Sequence, residues 1–139
     1  MSILQNKQIF VVEDNPANYA IIATLLEMSG AKTGFERWGT GTISRLRNFA
    51  PVDLILLDLM FPYGVTGFDV FDQIRACAEF SQVPIVAVSA MDAAVAIPKV
   101  RNKGFSGFIA KPISFTDFPH QISKILNNEP IWQYEASRS

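Results

Sequence analysis

The segment D-L-I-L-L-D at residues 53–58 is a nearly continuous apolar run between two aspartates, and it decides the fold class. Continuous apolar runs are typical of strands that are buried on both faces, as in parallel sheets covered by helices. The run therefore predicts a strand at Asp53–Leu57 with Asp58 at its carboxyl end. In an open sheet of this kind, the functional crevice lies outside the carboxyl ends of the strands.

Short β-rich runs alternate with helix-like segments on both sides of this strand. The strands are predicted at Gln8–Val12, Ala31–Arg37, Asp53–Leu57, Val83–Val88 and Gly107–Ala110. The helices are predicted at Ala17–Ser29, Thr40–Asn48, Phe68–Phe80, Ala90–Lys103 and Ser114–Leu126. Five strands, each followed by a helix, predict an α/β fold with a sheet that is covered by helices on both faces.

Two prolines interrupt the predicted helices. Pro98 has no N–H to donate to the Ala94 carbonyl, so the fourth helix is expected to kink or to begin late. Pro119 lies near the start of the last helix, which is expected to begin irregularly. The unusually apolar stretch at residues 93–97 is expected to be either a partner or homodimer face or an ordinarily buried segment.

The composition excludes several classes of protein. Apolar residues make up 49% of the 139 residues and charged residues 18%, which is globular composition. The net charge of −1 argues against a nucleic-acid or membrane-surface partner. A single cysteine and a single histidine exclude an internal disulfide and a multi-histidine metal site. No apolar run approaches the ~18 residues needed to span a bilayer, so a cytoplasmic location is expected.

The length predicts one domain, which we place at residues 1–127. Residues 128–139 form a tail that contains Pro130 and becomes polar. We expect this tail to be a loose extension.

Polar residues lie at the ends of four predicted strands. They are Glu13, Asp14, Asp58, Ser89 and Lys111. Each one alone is commoner as a solvated helix entry or a strand exit, but their joint position favours a shared site. Three carboxylates in one crevice repel one another, so either one is protonated or a cation lies among them. An all-oxygen site supplied only partly by protein suits Mg²⁺, and an aspartate beside Mg²⁺, a lysine and a serine can accept a phosphoryl group.

These residues resemble the motifs of the receiver domains of two-component response regulators. The matching stretches are V-V-E-D-N-P at 11–16, L-L-D-L-M at 56–60, V-S-A at 88–90 and K-P at 111–112. The resemblance covers residues 7–127. It implies a three-layer flavodoxin-like (βα)5 fold, in which a five-stranded parallel sheet has the order 2-1-3-4-5.

The resemblance also implies a role for each phosphoryl-handling residue. Asp58 would be the phosphoacceptor, Lys111 would bind the phosphoryl group and Ser89 would be the switch hydroxyl. Phe108 occupies the position of the family's switch aromatic residue. The peptide bond before Pro112 is expected to be cis.

The metal ligands implied by the resemblance are the acidic pair, the phosphoacceptor and one backbone group. Asp14 is expected to bind Mg²⁺ directly and Glu13 to act through water. Asp58 would contribute a carboxylate oxygen, and Met60 would contribute only its backbone carbonyl.

The function implied is that of a single-domain response regulator rather than an enzyme. A sensor histidine kinase or a histidine phosphotransfer protein would donate the phosphoryl group to Asp58, and the domain would catalyse only its own phosphotransfer and dephosphorylation. Movement of Ser89 and Phe108 would then bias the surface formed by the fourth helix, fifth strand and fifth helix toward one arrangement. That surface would bind a downstream protein target, and a homodimer is a further partner considered.

Three alternatives stay open at this point. A degenerate receiver would act as a constitutive protein-interaction module. A phosphatase with an aspartate nucleophile would usually carry a second acid, but the sequence here is Asp58-Leu59-Met60. A nucleotide or flavin binder needs a glycine-rich first turn, whereas residues 13–16 are acidic.

Two local departures from the family pattern lead to further expectations. The loop after Asp58 is one residue longer than usual, and Phe61 and Tyr63 are expected either to pack over it or to form a docking site for a partner. Met60 and Met91 lie two residues after Asp58 and Ser89, and neither can orient a water molecule. We therefore predict a long-lived phosphorylated state.

Overall fold

The computed structural model describes residues 2–134, and its elements alternate along the chain. The strands are β1 (Gln8–Val12), β2 (Lys32–Glu36), β3 (Leu54–Leu57), β4 (Ile85–Ser89), β5 (Gly107–Ala110) and β6 (Ile131–Trp132). The helices are α1 (Pro16–Met28), α2 (Thr42–Phe49), α3 (Gly67–Arg75), α4 (Ala93–Lys103) and α5 (Phe118–Leu126). Two short 3₁₀ helices lie at Pro62–Gly64 and Ala78–Phe80. Within the described residues, no helix is long and apolar enough to cross a bilayer.

The six strands form one parallel sheet in the order β2-β1-β3-β4-β5-β6. The predicted α/β class and the order of the first five strands are therefore confirmed. The sheet has one strand more than expected.

The additional strand corrects the expectation that the tail extends loosely. Ile131 pairs with Gly107, and Trp132 pairs with Phe108. The N–H of Gln133 donates to the Phe108 carbonyl, with the N and O atoms 2.9 Å apart. A strand of two residues is too short to show periodicity in a sequence, so the pattern could not reveal it. The domain boundary at residue 127 stays a prediction.

The core consists of two apolar layers, one on each face of the sheet. The layer on the α2–α4 side contains Phe10, Leu57, Phe71, Ile97 and Phe108. The layer on the α1 and α5 side contains Ile9, Leu56, Val88, Ile109 and Phe118. Neighbouring residues of a strand contribute to opposite layers, because successive side chains point to opposite faces. Burial on both faces explains the near-continuous apolar strands.

The fourth helix starts three residues later than the predicted Ala90 but still contains Pro98. It starts at Ala93, and the Asp92 carboxylate accepts the Ala94 N–H at 3.2 Å as an N-cap. Pro98 lies inside the second turn of the helix. Ala93, Ala96 and Ile97 are buried, so most of the apolar stretch is ordinary core, while Val95 is 46% exposed.

The third and fifth helices are shorter than predicted. The third ends at Arg75, whose guanidinium donates to the Phe80 and Val83 carbonyls at 2.9 and 2.8 Å. The fifth begins only at Phe118, after a turn in which Ser114 Oγ accepts the Asp117 N–H at 3.1 Å.

Candidate functional site

Three carboxylates lie together at the carboxyl edge of the sheet. One oxygen each of Glu13, Asp14 and Asp58 lies within 4.8 Å of the others. The register explains this placement, because Val12 of β1 pairs with Leu57 of β3 and the next residues leave the sheet side by side. Glu13 and Asp58 are buried, whereas Asp14 is half-buried.

Lys111 reaches this acidic cluster from the end of β5. Its Nζ donates to Asp58 Oδ2 at 2.9 Å and also to Glu13 Oε1. The side chain crosses β4, which separates β5 from β3 in the sheet. The peptide bond between Lys111 and Pro112 is cis, as expected, and a second cis bond, which was not predicted, joins Ala50 to Pro51.

Burial and mutual attraction both shift the pKa values of Glu13 and Lys111. Burial raises the pKa of the Glu13 carboxyl above its usual value, and the hydrogen bond and charge of Lys111 offset this only in part. For Lys111, burial favours the neutral amine. The charge of Asp58 and the hydrogen bonds to both carboxylates outweigh burial, so the pKa of Lys111 lies above its usual value. The site thus favours the protonated, positively charged form of Lys111.

Asp58 is fixed by its own loop as well as by Lys111. Its Oδ1 accepts the Leu59 N–H at 2.7 Å. Gly67 packs directly against the Asp58 backbone, since a Cβ atom at Gly67 would lie 2.2 Å from the Asp58 carbonyl oxygen. The Gly67 N–H donates to the Leu59 carbonyl at 2.9 Å. Only glycine permits this approach of the two chain segments.

The longer loop after Asp58 closes on itself. Met60 forms an antiparallel bridge with Thr66, and the Phe61 N–H donates to the Val65 carbonyl at 3.2 Å. Phe61 and Val65 pack against the α2–α4 layer. The expectation for Tyr63 concerns a side chain that lies outside the described part of the chain. A hairpin-like turn thus accommodates the extra residue, and Asp58 is hydrogen-bonded to Leu59 and Lys111.

The hydroxyl of Ser89 is bonded to the backbone after β4 rather than to the acidic cluster, and Phe108 lies in the core. Ser89 is the last residue of β4, and its Oγ accepts the Met91 N–H at 3.2 Å. Its carbonyl accepts the Lys111 N–H at 3.0 Å, which ties the two strand ends together. Phe108 is fully buried in the α2–α4 layer.

The sequence analysis did not single out two residues at or just after the end of β2, although the Glu13 N–H donates to the Glu36 carbonyl at 3.1 Å. The buried carboxylate of Glu36 accepts the backbone N–H groups of Trp38 and Gly39 and the Thr42 hydroxyl, at 2.6 to 2.8 Å. Arg37 donates from Nε to the Asp14 carbonyl at 3.0 Å. Their position at the end of a strand next to β1 was the signal that could have identified them.

The charges of the site do not balance. Three carboxylates face one ammonium group, which leaves an excess of two negative charges when all are ionised. Within residues 2–134, Asp14 is the member of the three whose carboxylate has no hydrogen-bond or ion-pair partner. This set of oxygen ligands fits a small divalent cation such as Mg²⁺.

Comparisons with known proteins identify a family and a fold that this chain is similar to. Residues 9–123 match the family described as the response regulator receiver domain. The chain is 32% identical over 122 residues to the polar-differentiation response regulator DivK of Brucella ovis, which covers 88% of this chain and 98% of the relative. The fold is similar to that of the chemotaxis response regulator CheY4 of Vibrio cholerae (TM-score 0.78, 16% identity, covering 87% of this chain and 99% of that one). It is also similar to the receiver domain of the sensor histidine kinase PA1611 from Pseudomonas aeruginosa (TM-score 0.76, 24% identity, 88% and 98%).

Proposed function

The chain belongs to the response regulator receiver domain family, and on that premise we propose that it accepts a phosphoryl group on Asp58 from a phosphohistidine. The observation that carries this proposal is the 2.9 Å contact between Lys111 Nζ and Asp58 Oδ2 beside two further carboxylates. In this contact a positively charged hydrogen-bond donor lies against the carboxylate that would be modified. The donor would be a sensor histidine kinase or a histidine phosphotransfer protein.

The transfer is a nucleophilic displacement at phosphorus. A carboxylate oxygen of Asp58 attacks, an O–P bond forms, and the P–N bond of the phosphohistidine breaks. The imidazole nitrogen leaves with the electron pair and the product on Asp58 is an acyl phosphate. Lys111 transfers its hydrogen bonds to the phosphoryl oxygens, where it neutralises developing charge. Attack of water at the same phosphorus later restores the carboxylate and releases inorganic phosphate.

The acidic cluster would hold Mg²⁺. Asp14 and Asp58 would contribute carboxylate oxygens, Glu13 would act through water and Met60 would contribute its backbone carbonyl. One Glu13 oxygen accepts from Lys111 and the other accepts the Asn15 N–H at 3.1 Å. When bound, the ion supplies positive charge for the oxygens of the transferred group. The structure of the PA1611 receiver domain is described as having a magnesium ion coordinated in its active-site cleft.

Phosphorylation would change a protein-binding surface. The Ser89 oxygen accepts the Met91 N–H at 3.2 Å, and its O–H can donate to a phosphoryl oxygen when Ser89 moves toward the site. Phe108, on the adjacent strand β5, would then move, and this movement would bias the surface formed by α4, β5 and α5 toward one arrangement. Because β6 covers the edge of β5, that surface also includes Trp132. A downstream protein target would read it, and homodimerisation through it and a cytoplasmic location stay predictions.

Binding of beryllofluoride, a phosphoryl mimic, tests this proposal. Backbone amide resonances of the wild-type protein are recorded with Mg²⁺ alone and after beryllofluoride is added. We expect shifts at residues 58, 89 and 111 that require Mg²⁺ and are lost in Asp58→Asn. Asp53→Asn is the control, because Asp53 lies at the opposite end of β3 and accepts the Gln8 N–H. Identical spectra with and without beryllofluoride would contradict the phosphoacceptor assignment.

A further inference from the structure

The chain at and just after β6 contacts β5 as far as Ala110, the residue directly before Lys111. The ladder between β5 and β6 ends at Trp132, but Gln133 extends it in two ways. Its N–H donates to the Phe108 carbonyl at 2.9 Å, and its side-chain Oε1 accepts the Ala110 N–H at 3.1 Å. The side-chain amide therefore replaces the backbone carbonyl that a longer strand would have supplied.

The edge of β5 has features that accommodate this strand. A Cβ atom at Gly107 would lie 2.9 Å from the Ile131 carbonyl oxygen, so the absence of a side chain allows the two backbones to approach. Trp132 packs against the layer that contains Phe108, and the Arg101 guanidinium lies 5.0 Å from its ring centroid. Ile131 packs against the opposite layer. Both faces of the sheet thus hold the segment in register.

The Gln133 contact lies at the site end of β5. On the other edge of the strand, the Lys111 N–H donates to the Ser89 carbonyl at 3.0 Å. Ala110 and Lys111 are consecutive, so their backbone is held by β4 on one side and by Gln133 on the other. Without the Gln133 oxygen, the N–H of Ala110, which is 7% exposed, would lose its partner at a strand end.

We propose that Gln133 is a positioning residue for Lys111, which acts through the backbone of Ala110; this inference rests on the phosphoacceptor role of Asp58. Lys111 must bind both the Asp58 carboxylate and the oxygens of the incoming phosphoryl group. A fixed backbone at residue 110 limits the positions of its amine to those that reach Asp58. The tail thus contributes to the rate of phosphotransfer without touching the reacting atoms.

Acetyl phosphate provides the assay. In this reaction an Asp58 oxygen attacks phosphorus, the bond from phosphorus to the acetyl oxygen breaks, and acetate leaves with the electron pair. The variants are Gln133→Leu, which lacks the acceptor oxygen, and Gln133→Glu, which retains one. Gln82→Leu is the matched control, since Gln82 is exposed and lies in a turn before β4.

We expect Gln133→Leu to slow phosphorylation by roughly three- to tenfold, the effect of one lost hydrogen bond. Gln133→Glu should recover most of the rate, and Gln82→Leu should match the wild type. The affinity for Mg²⁺ alone, measured by calorimetry, should stay within about twofold in all variants, since Gln133 does not touch the acidic cluster. Exchange of the Ala110 amide should accelerate in Gln133→Leu but not in Gln133→Glu.

Three results would overturn the inference. They are an unchanged rate in Gln133→Leu, failure of Gln133→Glu to recover it, and a parallel loss of Mg²⁺ affinity. If Gln133→Leu does not fold, Gln133→Asn withdraws the oxygen by about one C–C bond while keeping the amide, and the same rate loss is expected. A wild-type protein that takes up no phosphoryl group contradicts the proposed function itself. Uptake that is indifferent to Gln133 contradicts this inference alone.

Discussion

Nζ of Lys111 lies 2.9 Å from Oδ2 of Asp58, and the same amine is hydrogen-bonded to Glu13. One positive charge therefore serves two buried carboxylates, while Asp14 lies beside them. The structure thus combines two buried carboxylates that share one amine with a third carboxylate that fits the binding of a divalent cation.

Replacement of the amine should make stability depend more strongly on Mg²⁺. Lys111→Met removes the partner that Glu13 and Asp58 share. Without Mg²⁺, we expect the free energy of unfolding at pH 7 to fall by about 1–3 kcal/mol. Mg²⁺ should stabilise this variant more than the wild type, because it replaces the lost charge. Urea unfolding with and without Mg²⁺ measures both effects. Lys99→Met, at an exposed position of α4, is the control, and equal Mg²⁺ responses would argue against a shared site.

The raised pKa of Glu13 predicts a pH dependence of stability. Because the folded protein binds the Glu13 proton more tightly than the unfolded chain, this proton stabilises the fold fully below the carboxyl group's ordinary pKa of 4.5. It is lost as pH rises through the higher folded pKa. Glu13→Gln should therefore gain stability relative to the wild type as pH increases above 4.5 in Mg²⁺-free buffer. Urea unfolding across this range tests the trend. Glu129→Gln, at an exposed position, is the control, and a pH-independent difference between Glu13→Gln and the wild type would refute the assignment.

The backbone contact at Gly67 should tolerate no side chain. Gly67→Ala places a Cβ atom 2.2 Å from the Asp58 carbonyl oxygen, so the loop or the strand must move. We expect a loss of about 1–3 kcal/mol in stability together with slower phosphorylation of Asp58. Gly41→Ala is the control, since its nearest contact would be at 3.9 Å. Thermal unfolding and acetyl phosphate assays of both variants decide the matter, and wild-type behaviour of Gly67→Ala would show that the loop is not fixed there.

The methionines near the site predict slow dephosphorylation. Met91 is half-buried, and its N–H is bonded to the Ser89 hydroxyl. Its side chain cannot orient a water molecule toward the acyl phosphate. Met91→Glu should therefore release phosphate faster than the wild type after excess donor is removed. Phosphate release that is equal or slower in the variant would reject the hypothesis.

The sequence predicted the acidic cluster and Lys111 because apolar runs in the sequence indicate where the buried strands end. Glu13, Asp58 and Lys111 each follow an apolar run, and the parallel arrangement brings the carboxyl ends of such runs to one edge. The sequence also indicated a loop one residue longer than usual after Asp58, and in the structure this loop closes between Met60 and Thr66.

Other features left no periodic signal in the sequence. The tail strand has two residues, and its register depends on the bare backbone at Gly107 and on the packing of Trp132. In the sequence, Glu36 is indistinguishable from other acidic residues at strand ends. In the fold, its buried carboxylate accepts three hydrogen bonds. Such contacts depend on tertiary neighbours that are distant in the sequence or on backbone groups that every residue carries.

The central claim is that Asp58 is a Mg²⁺-dependent phosphoacceptor. The most direct measurement is intact mass, followed by peptide mapping, after incubation with acetyl phosphate in the presence or absence of Mg²⁺. We predict that the wild type gains the mass of one phosphoryl group, located at Asp58, only when Mg²⁺ is present. Asp58→Asn should gain none. Modification at another residue, or no modification of the folded wild-type protein under any of these conditions, would contradict the claim.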